Sequence, residues 1–277
     1  MADEQHKSCP ACFQGHKLDG TPKGTMEELG DLKYYYAAGS PEQKDKAIVM
    51  GTDIFGLGIP NCKIIADWFA EKTGMPVFVP DLLEGDYVDP ASLGPGLEEL
   101  EEPMANKPFY HRWRITLGAV WAFGFKLGPR FLSRHGMSHV VPIAEKFCRN
   151  LKDQKGFKSL GFVGYCFGGT VSVFLARADS PVDACVCFHP GGPNVAEWEK
   201  IAKPFCLVCP EEDFTLDSKK PAVLPLLEKL PVPTRVWDDN PGTTHGFGCR
   251  PNLAKPQIRE AFERGLARTK DWFEEHL

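Results

Sequence analysis

The chain has no apolar run long enough to cross a bilayer. Its most hydrophobic stretch, Ile115 to Gly128, falls short of the roughly 20 residues a membrane helix needs and is interrupted by Gly118, Gly124 and Lys126. The opening Met1-Ala2-Asp3-Glu4-Gln5-His6-Lys7 is polar and has no apolar core of the secretory kind, so a cytoplasmic location and no membrane partner are expected. A basic excess is also missing: 32 Lys and Arg stand against 37 Asp and Glu, a net charge of -5. Neutralising phosphates takes clustered basic side chains, so a nucleic-acid surface is excluded. There is no internal repeat and no low-complexity tract.

Cysteine, by contrast, is plentiful, with ten in 277 residues. Without a secretory leader, these read as free thiols of a reducing compartment. Cys206-Leu-Val-Cys209 lies in a strand-like apolar run, where residues three apart point to opposite faces and cannot share a metal. Cys185 and Cys187, also in a strand-like run, read as small buried apolar residues. Cys9-Pro-Ala-Cys12 would need two more zinc ligands, and His16 is the sole neighbour able to serve. A redox dithiol of the thioredoxin kind would follow a strand, whereas this pair sits in an irregular arm. No metal is therefore expected. A composition of 43% hydrophobic and 25% charged residues supplies a core of ordinary size.

Short, nearly continuous apolar runs mark the chain at Ala47 to Gly51, Val77 to Pro80, Leu160 to Gly164, Ala184 to Phe188, Phe205 to Cys209 and Arg235 to Trp237. They suit strands buried on both faces of a parallel sheet. Leu32 to Ala37 reads as an earlier strand, preceded by an irregular arm over residues 1–30. Helix-length segments alternate with them: Cys62 to Thr73 stopping at Gly74, Thr170 to Ala178, Lys219 to Lys229 and Pro256 to Leu277. The pattern predicts one doubly wound α/β domain over residues 31–277. An insertion at about 87–134, acidic at first and then aromatic and basic, breaks the rhythm. It reads as a lid or as an extra pair of helices packed on the body.

The chemistry concentrates in Gly164-Tyr165-Cys166-Phe167-Gly168-Gly169, which follows a strand-like run and precedes a helical one. That is the context of a nucleophile elbow, G-x-S-x-G with Cys for Ser. The turn is strained, so residues two either side of the nucleophile must be minimal. The sulfur then stands at a helix N-terminus, whose dipole and N–H groups favour a thiolate. A thiol nucleophile needs a base, and the base an orienting acid, in the order nucleophile, acid, histidine. Asp213 and His245 each follow a strand-like run in that order, with Glu211, Glu212 and Asp217 as alternative acids. His189 falls out of order and is expected to line the pocket. A ligand-binding protein on the same scaffold would lack a triad member, and none is missing. A thioesterase on the same triad remains the alternative enzyme.

The elbow, the Asp213 turn, Thr244-His245-Gly246-Phe247 and Asp53-Ile54-Phe55-Gly56 together resemble the dienelactone hydrolase family. Cys9-Pro-Ala-Cys12 and Gly20-Thr21-Pro22-Lys23-Gly24 resemble its fungal members in particular. The resemblance implies an α/β-hydrolase fold and a Cys166-His245-Asp213 triad. It also implies cleavage of a small ester or lactone, such as a dienelactone-like cyclic enol ester, through a thioester acyl-enzyme without metal or organic cofactor. It places the oxyanion on the backbone N–H groups of Ile54 and Phe167. Asp53 stands where the family usually has Glu, a carboxylate that contacts the resting nucleophile and controls its ionisation. Arg250, one residue later than the family's substrate-binding arginine, is expected with Arg112 and Tyr165 to bind the substrate.

Overall fold

The computed structural model describes residues 17–90, 107–119 and 128–277. The runs read as doubly buried form strands: β3 (Lys46–Gly51), β4 (Val77–Pro80), β5 (Ser159–Tyr165), β6 (Ala184–Phe188), β7 (Phe205–Val208) and β8 (Thr234–Trp237). With β1 (Thr25–Leu29) and β2 (Leu32–Ala37) they make an eight-stranded sheet in the order β1-β2-β4-β3-β5-β6-β7-β8. From β4 to β8 every neighbour is parallel. β2 is antiparallel to β4, and β1 is antiparallel to β2. Residues 25–29, expected within the irregular arm, thus form the edge strand. Mostly exposed polar side chains give them no apolar run, and Gly30 at φ 64° makes the turn into β2.

Period-two alternation splits each inner strand between two cores. Ala47 and Val49 belong to one, Ile48 and Met50 to the other. The same rule separates Cys206 from Cys209, which lie in different cores as their spacing predicts. Helices cover both faces, giving the α/β-hydrolase architecture. α1 (Asn61–Thr73), capped by left-handed Gly74, and the final helix α8 (Pro256–His276) bury Ile65, Phe69, Ala261 and Trp272 on one side. On the other side lie α4 (Met137–Lys155), α5 (Phe167–Leu175) and α7 (Lys220–Leu227), with Phe147, Val171 and Val223 inward. A short helix, α6 (Val195–Trp198), lies between β6 and β7.

Within the expected insertion, α2 (Phe109–Ala119) and α3 (Gly128–His135) are helical. α3 is held to the body by Asp86, whose Oδ2 lies 2.8 Å from His135 Nε2 and 2.9 Å from Arg134 Nη1. Cys9, Cys12 and His16 lie outside the described residues.

The strand order reverses at β3. The chain runs from β3 out to β4, then returns to the far side of β3 as β5. Loops leaving the C-terminal ends of β3 and β5 diverge there and open the crevice that open α/β sheets use for ligands. Asp53 and Ile54 leave β3 at that point, and Cys166 leaves β5.

Candidate active site

Cys166 occupies the turn between β5 and α5 with φ 53° and ψ −106°, a conformation that L-residues adopt only under constraint. Two glycines make the turn possible. A Cβ on Gly164 would lie 1.9 Å from Gly168 O, and one on Gly168 would lie 2.3 Å from the Gly51 backbone. The minimal residues expected two positions either side of the nucleophile are therefore required by sterics. The turn is fixed by the Cys166 N–H donating to Phe188 O at 3.1 Å and by Gly191 N–H donating to Cys166 O at 3.2 Å.

Among the eight described cysteines, Cys166 alone is not buried. Burial pushes the other thiols up, Cys148 and Cys209 to about 12, so none of them offers a thiolate near neutrality. Among the described cysteines, only Cys166 is open to a reagent.

Asp213 follows β7 and is fully buried. Its carboxylate lies 3.0 and 3.1 Å from His245 Nδ1, and its Oδ1 accepts the Thr215 backbone N–H at 2.9 Å and the Thr215 hydroxyl at 2.6 Å. Burial alone would raise this carboxyl, but the His245 charge and the hydrogen bonds from His245 and Thr215 hold it down to about 2. Burial likewise works against a charged His245. The Asp213 carboxylate and the Cys166 sulfur, hydrogen-bonded to the same ring, outweigh it and lift the imidazole to about 10. With Nδ1 given to Asp213, Nε2 is the nitrogen left for Cys166. Geometry and charge together favour a protonated His245 ring beside the Cys166 sulfur. Thr215, which no motif announced, is the residue that fixes the acid.

The neighbours expected around the triad are arranged differently. Asp53 gives its carboxylate to the Phe55 N–H at 3.0 Å, to the Cys249 thiol at 3.4 Å and to the Arg250 guanidinium. Arg250, expected to grip a substrate, is buried, ion-paired to Asp53 and stacked on the Phe55 ring at 4.7 Å. Asp53, expected to touch the nucleophile, is thus the counter-ion of that arginine. Tyr165, expected to bind substrate, points into the core, where it packs on Phe188 with ring centroids 4.8 Å apart. Tyr165 is the last residue of β5, and its side chain falls on the face that carries Val163, in the same core. Arg112 is solvent-exposed and donates from Nε to Lys107 O at 3.0 Å. His189, expected to line the pocket, lies fully buried behind His245 with ring centroids 5.0 Å apart. Burial holds it neutral, its pKa well below the usual histidine range.

Two aromatic residues that the motifs did not single out flank the site. Phe214 lies 5.0 Å from the His245 ring, centroid to centroid, yet is 63% exposed. Phe131 of α3 packs edge-on to Phe167 at 5.5 Å, beside the half-buried Ile54. Among the described residues, neither the Ile54 nor the Phe167 backbone N–H has an intramolecular acceptor.

A sheet of this order with a strained cysteine elbow at its switch point defines an α/β hydrolase. The chain matches the dienelactone hydrolase family over residues 34–277 and belongs to it. Among similar curated proteins, the hydrolase tropI of Talaromyces stipitatus is 29% identical over 100% of this chain and 99% of its own. The human carboxymethylenebutenolidase homolog is 26% identical over 94% of this chain and 95% of its own. The crystal structure of dienelactone hydrolase from Anabaena variabilis shares the fold, with a TM-score of 0.58 and 14% identity over 95% of this chain and 99% of that one. The protein is a hydrolase of this family, acting on esters.

Proposed function

We propose that the protein cleaves a small ester or lactone by acyl transfer through Cys166, His245 and Asp213. The observation that carries this reading is the His245 ring bridging the buried Asp213 carboxylate and the only unburied sulfur among the described cysteines. The Cys166 thiolate attacks the carbonyl carbon, and the oxyanion is received by the backbone N–H groups of Ile54 and Phe167. The imidazolium gives its proton to the departing alkoxide as the C–O bond breaks, leaving a thioester on Cys166. Water then loses a proton to His245 as it attacks the thioester. The acid is released and the thiolate restored. In a lactone the leaving oxygen stays tethered to the acyl chain, and the steps are otherwise the same. Asp53, paired with Arg250, is read as holding the loop that carries Ile54.

The test is direct capture of the intermediate. Wild type mixed with p-nitrophenyl acetate and quenched in acid should carry an acetyl group on Cys166, found by peptide mass mapping. Cys166→Ala should fold, carry no adduct and show no turnover above background. An acetyl group accumulating elsewhere with Cys166 unmodified would remove the assignment.

A further inference from the structure

Asp213 holds His245 at one atom, Nδ1, with contacts of 3.0 and 3.1 Å. A bond at one ring nitrogen fixes a point and a direction, but not the plane of the ring. That plane decides how Nε2 meets the Cys166 sulfur. Phe214 and His189 both lie against His245, each with its ring centroid 5.0 Å away. Phe214 is 63% exposed and has room to turn, whereas His189 is fully buried. The His189 ring crosses that of His245 at 62°, the edge-to-face arrangement that aromatic pairs favour. It is enclosed in turn by Phe247 at 5.9 Å and by Tyr165 and Phe188 at 6.3 Å. Gly248 admits it, since a Cβ there would lie 3.1 Å from His189 Nε2.

A histidine is costly at this place. Its backbone is left-handed, with φ 33°, and among the described residues neither ring nitrogen has a hydrogen-bond partner. Positive φ outside glycine and buried unpaired polar groups both reduce stability, and they concentrate where structure serves a reaction. The backbone around His189 is anchored to the other two members of the proposed triad. Its own N–H donates to Val208 O at 3.1 Å, and the neighbouring Phe188 O accepts the Cys166 N–H at 3.1 Å. Gly191 N–H donates to Cys166 O at 3.2 Å. The Thr215 hydroxyl, which meets Asp213, lies 2.7 Å from Pro190 O. The loop after β6 thus reaches the nucleophile turn and the acid turn through its backbone, and the base through the His189 ring.

We propose that His189 is a positioning residue whose ring fixes the plane of His245 against the nucleophile and the acid. The proposal rests on the reading of His245 as the base of Cys166. His189→Asn keeps a residue that accepts positive φ and removes the ring, whereas His189→Phe keeps a ring. With phenyl acetate, His189→Asn should lose about 10–100-fold in kcat, with KM changed by less than about threefold. A misplaced base weakens the transition state and leaves ester binding alone. His189→Phe should recover most of that loss. Alkylation of Cys166 by iodoacetamide at neutral pH should slow about threefold or more in His189→Asn, because the protonated ring no longer faces the sulfur. Urea unfolding of the same samples establishes that each variant is folded under assay conditions. His189→Leu, which keeps apolar volume without a flat ring, replaces His189→Asn if that variant does not fold, and should show the same losses. Wild-type kcat in the folded ringless variant, an unchanged alkylation rate, or a folded His189→Phe no better than the ringless variant overturns the proposal. Failure of the underlying reading has a different signature: His245→Ala would hydrolyse the ester as fast as wild type.

Discussion

At the scale of single residues, the protonation of His245 is the quantity on which the proposed chemistry turns. Its environment contains opposed effects. Burial disfavours the cation, and the Asp213 carboxylate restores it. Asp213→Asn keeps the shape and removes that restoring charge, so burial should then dominate and the imidazole should lose its proton at a lower pH. The Cys166 sulfur loses a cationic neighbour with it. Alkylation of Cys166 by iodoacetamide at neutral pH should slow in Asp213→Asn. Turnover should fall roughly 10³–10⁴-fold, since the acid orients the ring as well as charging it. An alkylation profile that overlays wild type would show that Asp213 does not govern the pair. In wild type, limiting alkylation should label Cys166 ahead of the seven other described cysteines, all buried.

At the scale of elements, the inner strands are legible in the sequence because both of their faces are buried, which leaves an apolar run with no polar alternation. β1 is not, because Thr25-Met26-Glu27-Glu28-Leu29 is an edge with mostly exposed side chains. α4 is obscured by Pro142, which interrupts its pattern from inside the helix. The proposed triad is legible because each member follows a strand at the same sheet edge. The Asp53–Arg250 pair is not, since its partners are 197 residues apart and no local pattern links them. The strand-turn-helix of the elbow permits a sharp comparison of two glycines. Gly168→Ala would drive a Cβ to 2.3 Å from the Gly51 backbone, which belongs to the central strand and cannot move aside. Gly156, with φ 84° and nothing within 4 Å of a Cβ, carries only the left-handed strain. Gly156→Ala should cost about 1–2 kcal/mol, whereas Gly168→Ala should cost at least about 3 kcal/mol. Urea unfolding of the two variants checks this, and equal losses would contradict the packing argument.

At the scale of the whole molecule, the triad pair ties stability to pH, and the sign can be worked out from both partners. His245 has a folded pKa raised from 6.5 to about 10. The unfolded chain therefore begins to lose that proton near 6.5 while the folded chain keeps it. The associated stability is fully present below that pH and is lost as pH rises through about 10. Asp213 has a folded pKa lowered from 3.8 to about 2. Its contribution is present above 3.8 and fades as pH falls toward 2. Both shifts describe one interaction, so they must not be added. The window in which the pair is fully intact runs from about pH 4 to about pH 6.5. Because Asp213 lies in the loop after β7 and His245 in the loop after β8, losing the pair should loosen the ends of these outer strands against each other. Thermal unfolding of wild type between pH 3 and pH 10 should show a shallow maximum in that window. His245→Gln keeps a neutral hydrogen-bonding side chain and should flatten the decline on the alkaline side, between pH 6.5 and pH 10. If wild type and His245→Gln decline in parallel across that range, the imidazolium contributes nothing to folding, and its raised pKa serves the reaction alone.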